Sequence, residues 1–113
     1  MDLEGFRASL KAAAPPPGLS CALQGLWWDA KGDWAAAHRC AQEQDDAAGA
    51  AVHGYLHRRE GDLPNARYWY ARAGRPPASG TLAAEWEALA LALLADAAGQ
   101  SAMRTSVQVR SGS

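Results

Sequence analysis

Two Gly-Asp pairs, Gly32-Asp33 and Gly61-Asp62, stand 29 positions apart, and each separates two stretches that read as helix. Glycine takes the left-handed conformation that ends a helix, and a following aspartate caps the next one. A chain punctuated this way folds as helices joined by tight turns. The remaining breakers agree. Asp2 can cap a first helix with Leu3, Phe6, Leu10 and Ala13 on one face, and Pro15-Pro16-Pro17-Gly18 must end it. A second helix is expected from Leu19 to Lys31, a third from Trp34 to about Gln44, and a fourth, capped at Asp45-Asp46, from Ala47 to Glu60. A fifth runs from Leu63 to Ala73, with Pro64 in its first turn, where a missing amide proton costs little. The last starts at Ser79 or Thr81 and reaches about Ala98, carrying Leu82, Trp86, Leu89, Leu93 and Ala97 as an apolar stripe.

Composition excludes the alternative of a sheet. About a quarter of the residues are alanine, there is no isoleucine, and Val52, Val107 and Val109 are the only valines. Strands draw on β-branched side chains and helices on alanine. The fold class is therefore all-α, with tryptophan supplying bulk that alanine lacks.

The length of 113 residues suits one domain. Residues 1–98 form it, with hairpins at about 19–44 and 47–74 and a capping helix at 81–98; residues 99–113 read as a polar, flexible tail. Met1–Leu10 is polar and unlike a signal peptide, and the most apolar run, Ala88–Ala98, is too short to span a membrane. A cytoplasmic location without membrane contact is expected. Cys21 and Cys40 would then be reduced, small core residues. The net charge of −1 gives no global signature for a polyanion.

The two turns carry matching neighbours. Gly25 aligns with Gly54, Gly32 with Gly61, Asp33 with Asp62 and Ala37 with Ala66. With Tyr70, Ala73 and Pro76-Pro77 completing the second copy, the pattern resembles the tetratricopeptide repeat. Trp28 also fits the first copy, while Ala41 stands where an aromatic is usual. The spacing is shorter than that family's usual 34 residues. The resemblance implies that Gly54 and Ala66 face one another where two helices approach closely, that Trp28, Tyr70 and Trp86 fill the spaces between hairpins, and that the last helix covers the final hairpin. The run from Tyr55 to Pro77 is also similar to small bacterial helical proteins, which adds no chemistry.

In tetratricopeptide arrays the first helices of successive hairpins line a concave groove for an extended peptide or a partner helix. Carried onto this chain, the groove positions are Leu26 and Asp29, then Tyr55 and Arg58. The resemblance thus implies a non-catalytic interaction or scaffold module with a protein or peptide partner. Because two repeats make a short groove, a homodimer could extend it.

Residues 53–77 raise a second reading. His53, His57 and Glu60 fall one and two turns apart on one helical face, and imidazoles so placed can share a metal. His38 and Asp62 are conceivable further ligands. The alternative function is a small-ligand or metal-binding protein, or an enzyme, built on these residues. The repeat template puts both histidines inside instead, as buried rings hydrogen-bonded to Asn65 or Glu60. No nucleophile, phosphate-cradling loop or cofactor fingerprint appears, so no catalytic residue and no cofactor is expected. Five arginines interleave with Tyr55, Tyr68, Trp69 and Tyr70 here, but helical phase splits arginines from aromatics, which disfavours nucleic acid.

Overall fold

The structure, a computed structural model, describes the backbone of residues 1–112 and the side chains of residues 1–97. It is all-helical, with no strand among the described residues. In chain order the helices are α1 (Leu3–Ala8, followed by a 3₁₀ turn at Ser9–Lys11), α2 (Cys21–Ala30), α3 (Trp34–Glu43), α4 (Ala47–Glu60), α5 (Leu63–Arg72) and α6 (Leu82–Gly112). α6 continues as helix past Ala98, where the sequence reading ended it; the side chains of residues 98–113, and with them the expected polar tail, lie outside the described residues.

Short polar side chains start each helix. Asp2, Asp33, Asp46 and Asp62 accept from the backbone N–H three residues on, and Thr81 does the same for Ala84. α2 is capped by Ser20, so it begins two residues later than expected. Gly32, Gly61 and Gly74 end helices at φ 84°, 90° and 71°. At each, the next residue's N–H reaches back five residues, to Trp28, His57 and Tyr70 respectively. The two Gly-Asp turns therefore share one geometry.

α2 pairs with α3, and α4 with α5. Both hairpins close tightly at a glycine. A Cβ built on Gly54 would lie 3.3 Å from the Ala66 carbonyl oxygen and 2.9 Å from Tyr70 Cδ1. One built on Gly25 would lie 3.2 Å from the Ala37 carbonyl oxygen. The Gly54–Ala66 approach is thus present, and Gly25–Ala37 repeats it.

The core is formed by Phe6, Leu23, Leu26, Trp27, Val52, Tyr55 and Leu56 with the inner face of α6. Tyr70 and Trp86 are buried as expected. Trp27, not Trp28, is the fully buried indole of α2; its Nε1 donates to Ser9 Oγ at 3.0 Å, and the half-buried Trp28 packs edge-on against it. Cys21 and Cys40 are half-buried free thiols rather than core residues. Among the described residues, no helix is long and apolar enough to cross a membrane.

α6 does more than cover the last hairpin. It packs on α2 and α4 as well, across the face where both hairpins present their first helices. Trp86 Nε1 donates to the Leu26 carbonyl at 2.9 Å, and Phe6 stacks on the Trp86 ring at 5.8 Å.

Candidate metal centre

The expected groove is occupied from within. Leu26 is fully buried, and Asp29 and Tyr55 are buried as well. Tyr55 does not face solvent: its hydroxyl donates to Asp29 Oδ2 at 2.7 Å. Arg58 is 16% exposed, with its Nη1 2.7 Å from Glu85 Oε1 on α6, and it also donates to the Gly80 carbonyl. Leu26 and Arg58 thus hold the chain's own last helix, while Asp29 and Tyr55 join α2 to α4. The physical reason is apolar area: two hairpins leave Leu26, Tyr55 and Leu56 uncovered, and the striped face of α6 is the nearest surface that removes them from water.

The histidines have a different fate. All three in the chain meet in one cluster. α3 contributes His38, and α4 contributes His53 and His57 one turn apart. His53 Nε2 lies 2.8 Å from His38 Nε2, with the rings at 88°. One ligand nitrogen from each of the three rings lies within 4.8 Å of the others. His53 and His57 stack at 4.9 Å and 18°, and Trp69 of α5 covers the other face of His53 at 3.8 Å and 12°. Trp34 stacks on His38 at 4.8 Å. The rings of His53 and His57 are therefore buried beside indoles, and their nitrogens lie close to that of His38.

Electrostatics disfavour the charged forms of His53 and His38. Burial, reinforced by the two neighbouring imidazoles, lowers His53 to about 4. Burial also lowers His38, with His57 adding to the effect. Neutral imidazole is the form that donates a lone pair to a metal. His57 is 7% exposed, and its Nδ1 has no hydrogen-bond partner among the described residues. The nearest acceptor is Glu60 Oε1 at 3.5 Å, and Asn65 Nδ2 lies 3.4 Å from His57 Nε2.

Glu60 is not among the three converging imidazoles. It forms a second acidic set with His57 and Asp62, outside the three-imidazole group. Sequence spacing found His53 and His57. His38 was only a conceivable addition, because helical phase relates positions within α4 and says nothing of which α3 residue docks against them. The Arg72 and Tyr68 side chains, at 3.1 Å, pair with each other on the outer face of α5. This leaves the arginines divided, Arg58 inward and Arg72 outward, rather than on one nucleic-acid surface.

Compared with family models, curated proteins and solved structures, the chain matches none.

Proposed function

We propose that the protein is a binding module whose ligand is a divalent first-row transition-metal ion held by His38, His53 and His57. The observation that carries this reading is the convergence of three imidazoles contributed by two helices of different hairpins. Imidazole suits zinc, copper, nickel and iron. Three protein nitrogens leave a fourth position for water or another small ligand. The half-buried ring of His38 gives the ion a route from solvent.

Two nitrogens on one zinc ion stand about 3.3 Å apart, from bonds of about 2.0–2.1 Å at a tetrahedral angle. The observed 2.8 Å is a hydrogen-bonded pair sharing one proton. Binding would shift that proton to the other nitrogen of its ring and open the pair by about half an ångström. Trp34 and Trp69 hold the rings in place meanwhile, so little side-chain entropy remains to be lost. The metal would tie α3 to α4, and so one hairpin to the next. This reading differs from peptide capture in a concave groove, three of whose expected positions, Leu26, Asp29 and Tyr55, are buried.

The test is zinc and cobalt titration of wild type and His38→Phe. Phenylalanine keeps the stack on Trp34 but has no ligand atom. Zinc at 100 times its dissociation constant should stabilise the wild type by about 2.7 kcal/mol. Cobalt should give the visible bands of a tetrahedral nitrogen-ligated ion, and His38→Phe should show neither effect. An unchanged melting temperature with zinc and no cobalt bands would overturn the metal reading and leave the cluster as a hydrogen-bonded core element.

A further inference from the structure

We propose a second metal site at the α4–α5 turn, where His57 Nδ1 and one oxygen each of Glu60 and Asp62 take a divalent ion harder than zinc, manganese(II). It shares His57 with the imidazole cluster but does not rest on the zinc reading. One ligand atom from each of the three residues lies within 4.8 Å of the others. What points to a ligand is His57 itself. The residue is 7% exposed, and its Nδ1 has no hydrogen-bond partner among the described residues. Its nearest acceptor, Glu60 Oε1, stands at 3.5 Å, beyond ordinary hydrogen-bond reach. A buried polar atom left unpaired costs free energy, and a bound ion removes that cost.

The turn explains the convergence. Glu60 follows His57 by three residues, so both lie on one face at the end of α4. Gly61, at φ 90°, then reverses the chain, and the Asp62 N–H returns to the His57 carbonyl at 2.9 Å. The Gly32-Asp33 turn has the same backbone, with the Asp33 N–H on the Trp28 carbonyl, yet carries Trp28 and Lys31 where this turn carries His57 and Glu60. Neither the turn nor the cap therefore requires an imidazole and a second carboxylate.

The charge of the two carboxylates is not spent elsewhere. Among the described residues, neither Glu60 nor Asp62 has a salt bridge to lysine or arginine; the adjacent Arg58 and Arg59 pair with Glu85 and Asp29 instead. Asp62 Oδ1 accepts from the Asn65 N–H at 3.3 Å and Oδ2 from Asn65 Nδ2 at 3.4 Å. A carboxylate has about four lone-pair sites, so others remain for an ion.

Carboxylates suit magnesium, calcium and manganese, whereas imidazole suits later transition metals, and a mixed set favours manganese(II). Around an octahedral ion with bonds of about 2.1 Å, neighbouring ligand atoms stand about 3.0 Å apart and opposite ones about 4.2 Å. Closing the set onto an ion needs shifts of about half an ångström, which the half-exposed Glu60 side chain can make. Water supplies the remaining positions. With Nδ1 on the ion, the His57 proton sits on Nε2, which lies 3.4 Å from the Asn65 amide; turned over, that amide accepts it through its oxygen. A neutral imidazole has one free nitrogen lone pair, so His57 serves one set at a time.

The experiment titrates manganese(II) chloride and follows the free aqueous ion by EPR. The variants are Glu60→Gln and Asp62→Asn, the second of which keeps the helix cap. Asp45→Asn, at an exposed carboxylate, is the charge control, and His38→Phe the cluster control. Wild type should bind one ion with a dissociation constant on the order of 0.1–1 mM, the range of weak, water-accessible carboxylate sites. Glu60→Gln and Asp62→Asn should each weaken it about tenfold, since carboxylate charge sets such affinities. Asp45→Asn and His38→Phe should leave it unchanged. Bound manganese should broaden the Asp62 and Asn65 amide signals first in NMR spectra. No uptake by wild type, or equal weakening by Asp45→Asn, would overturn the site. Manganese lost in His38→Phe but kept in Glu60→Gln would overturn it too, by placing the ion among the three imidazoles. Cobalt bands should persist in Glu60→Gln, so this site and the zinc reading stand or fall separately.

Discussion

Glu85 Oε1 receives Arg58 Nη1 at 2.7 Å while its other oxygen receives the Tyr70 hydroxyl at 2.6 Å, so one carboxylate of α6 grips α4 and α5 together. Arg58 and Glu85 are 16% and 9% exposed, which removes most of the screening that weakens surface pairs. Glu85→Ala leaves a largely buried guanidinium and a phenol without acceptors, at a cost of about 3–5 kcal/mol. Arg58→Met combined with Glu85→Leu leaves neither charge stranded and should recover most of that loss. Urea denaturation of the single and double variants measures both values. An additive double variant would show that the pair is not coupled.

Alkaline pH should act through Tyr70. Burial raises the phenol above its ordinary value of 10.0, and the Glu85 hydrogen bond adds to the shift. The folded state thus holds a proton that the unfolded state releases. Stability from this group is complete below about pH 10 and is lost as pH rises above it. Tyr70→Phe removes the ionisation. The stability difference between wild type and Tyr70→Phe should narrow between about pH 9 and 11. A constant difference across that window would rule out the linkage.

Gly49 and Gly54 should tolerate alanine unequally. A Cβ on Gly49 would fall 1.8 Å from the Gln44 carbonyl oxygen, and Gln44 anchors the α3–α4 turn by accepting from the Ala22 N–H at 2.7 Å. Backbone must move to admit it. The Gly54 clash, 2.9 Å, is with the Tyr70 ring. Overpacking of this kind costs about 1–3 kcal/mol, and Gly49→Ala should sit at or beyond the upper end, with Gly54→Ala below it. Thermal melts of the two variants rank them directly.

Asp29 offers a contrast between charge and shape. Burial raises its carboxyl, against the opposing pull of the Tyr55 hydroxyl and Arg59. Asp29→Asn still accepts from Tyr55 and loses only an ion pair whose other partner is half-exposed. It should change stability by no more than about 1 kcal/mol. Asp29→Ala orphans a buried phenol and should cost about 1–3 kcal/mol. Equal melting temperatures for the two would mean that the hydrogen bond contributes nothing.

Local chemistry made the helices legible. Gly32-Asp33, Gly61-Asp62 and Pro64 act within a few residues, so their consequences could be read without knowing the fold. The Gly54–Ala66 approach was legible because a hairpin with a tight turn admits few registers. Long-range docking was not. Trp27 and Trp28 are neighbours that differ by about 100° of helical phase. A small error in orienting α2 was enough to choose the wrong indole. The third imidazole depended on how one hairpin leans on the next. The filled groove depended on where α6 travels after Pro77, and no side chain near Leu26 or Tyr55 announces that.

The bond from Trp86 Nε1 to the Leu26 carbonyl joins residues 60 positions apart. Such separations slow folding, since the loop must close before the contact rewards it. During synthesis, α2 to α5 leave the ribosome first, and their shared apolar face stays wet until Trp86 follows. At about 5–20 residues per second, that interval lasts seconds. The nascent chain is then briefly a sticky, open-faced pair of hairpins, and a cell making this protein must shield that face or synthesise through it quickly.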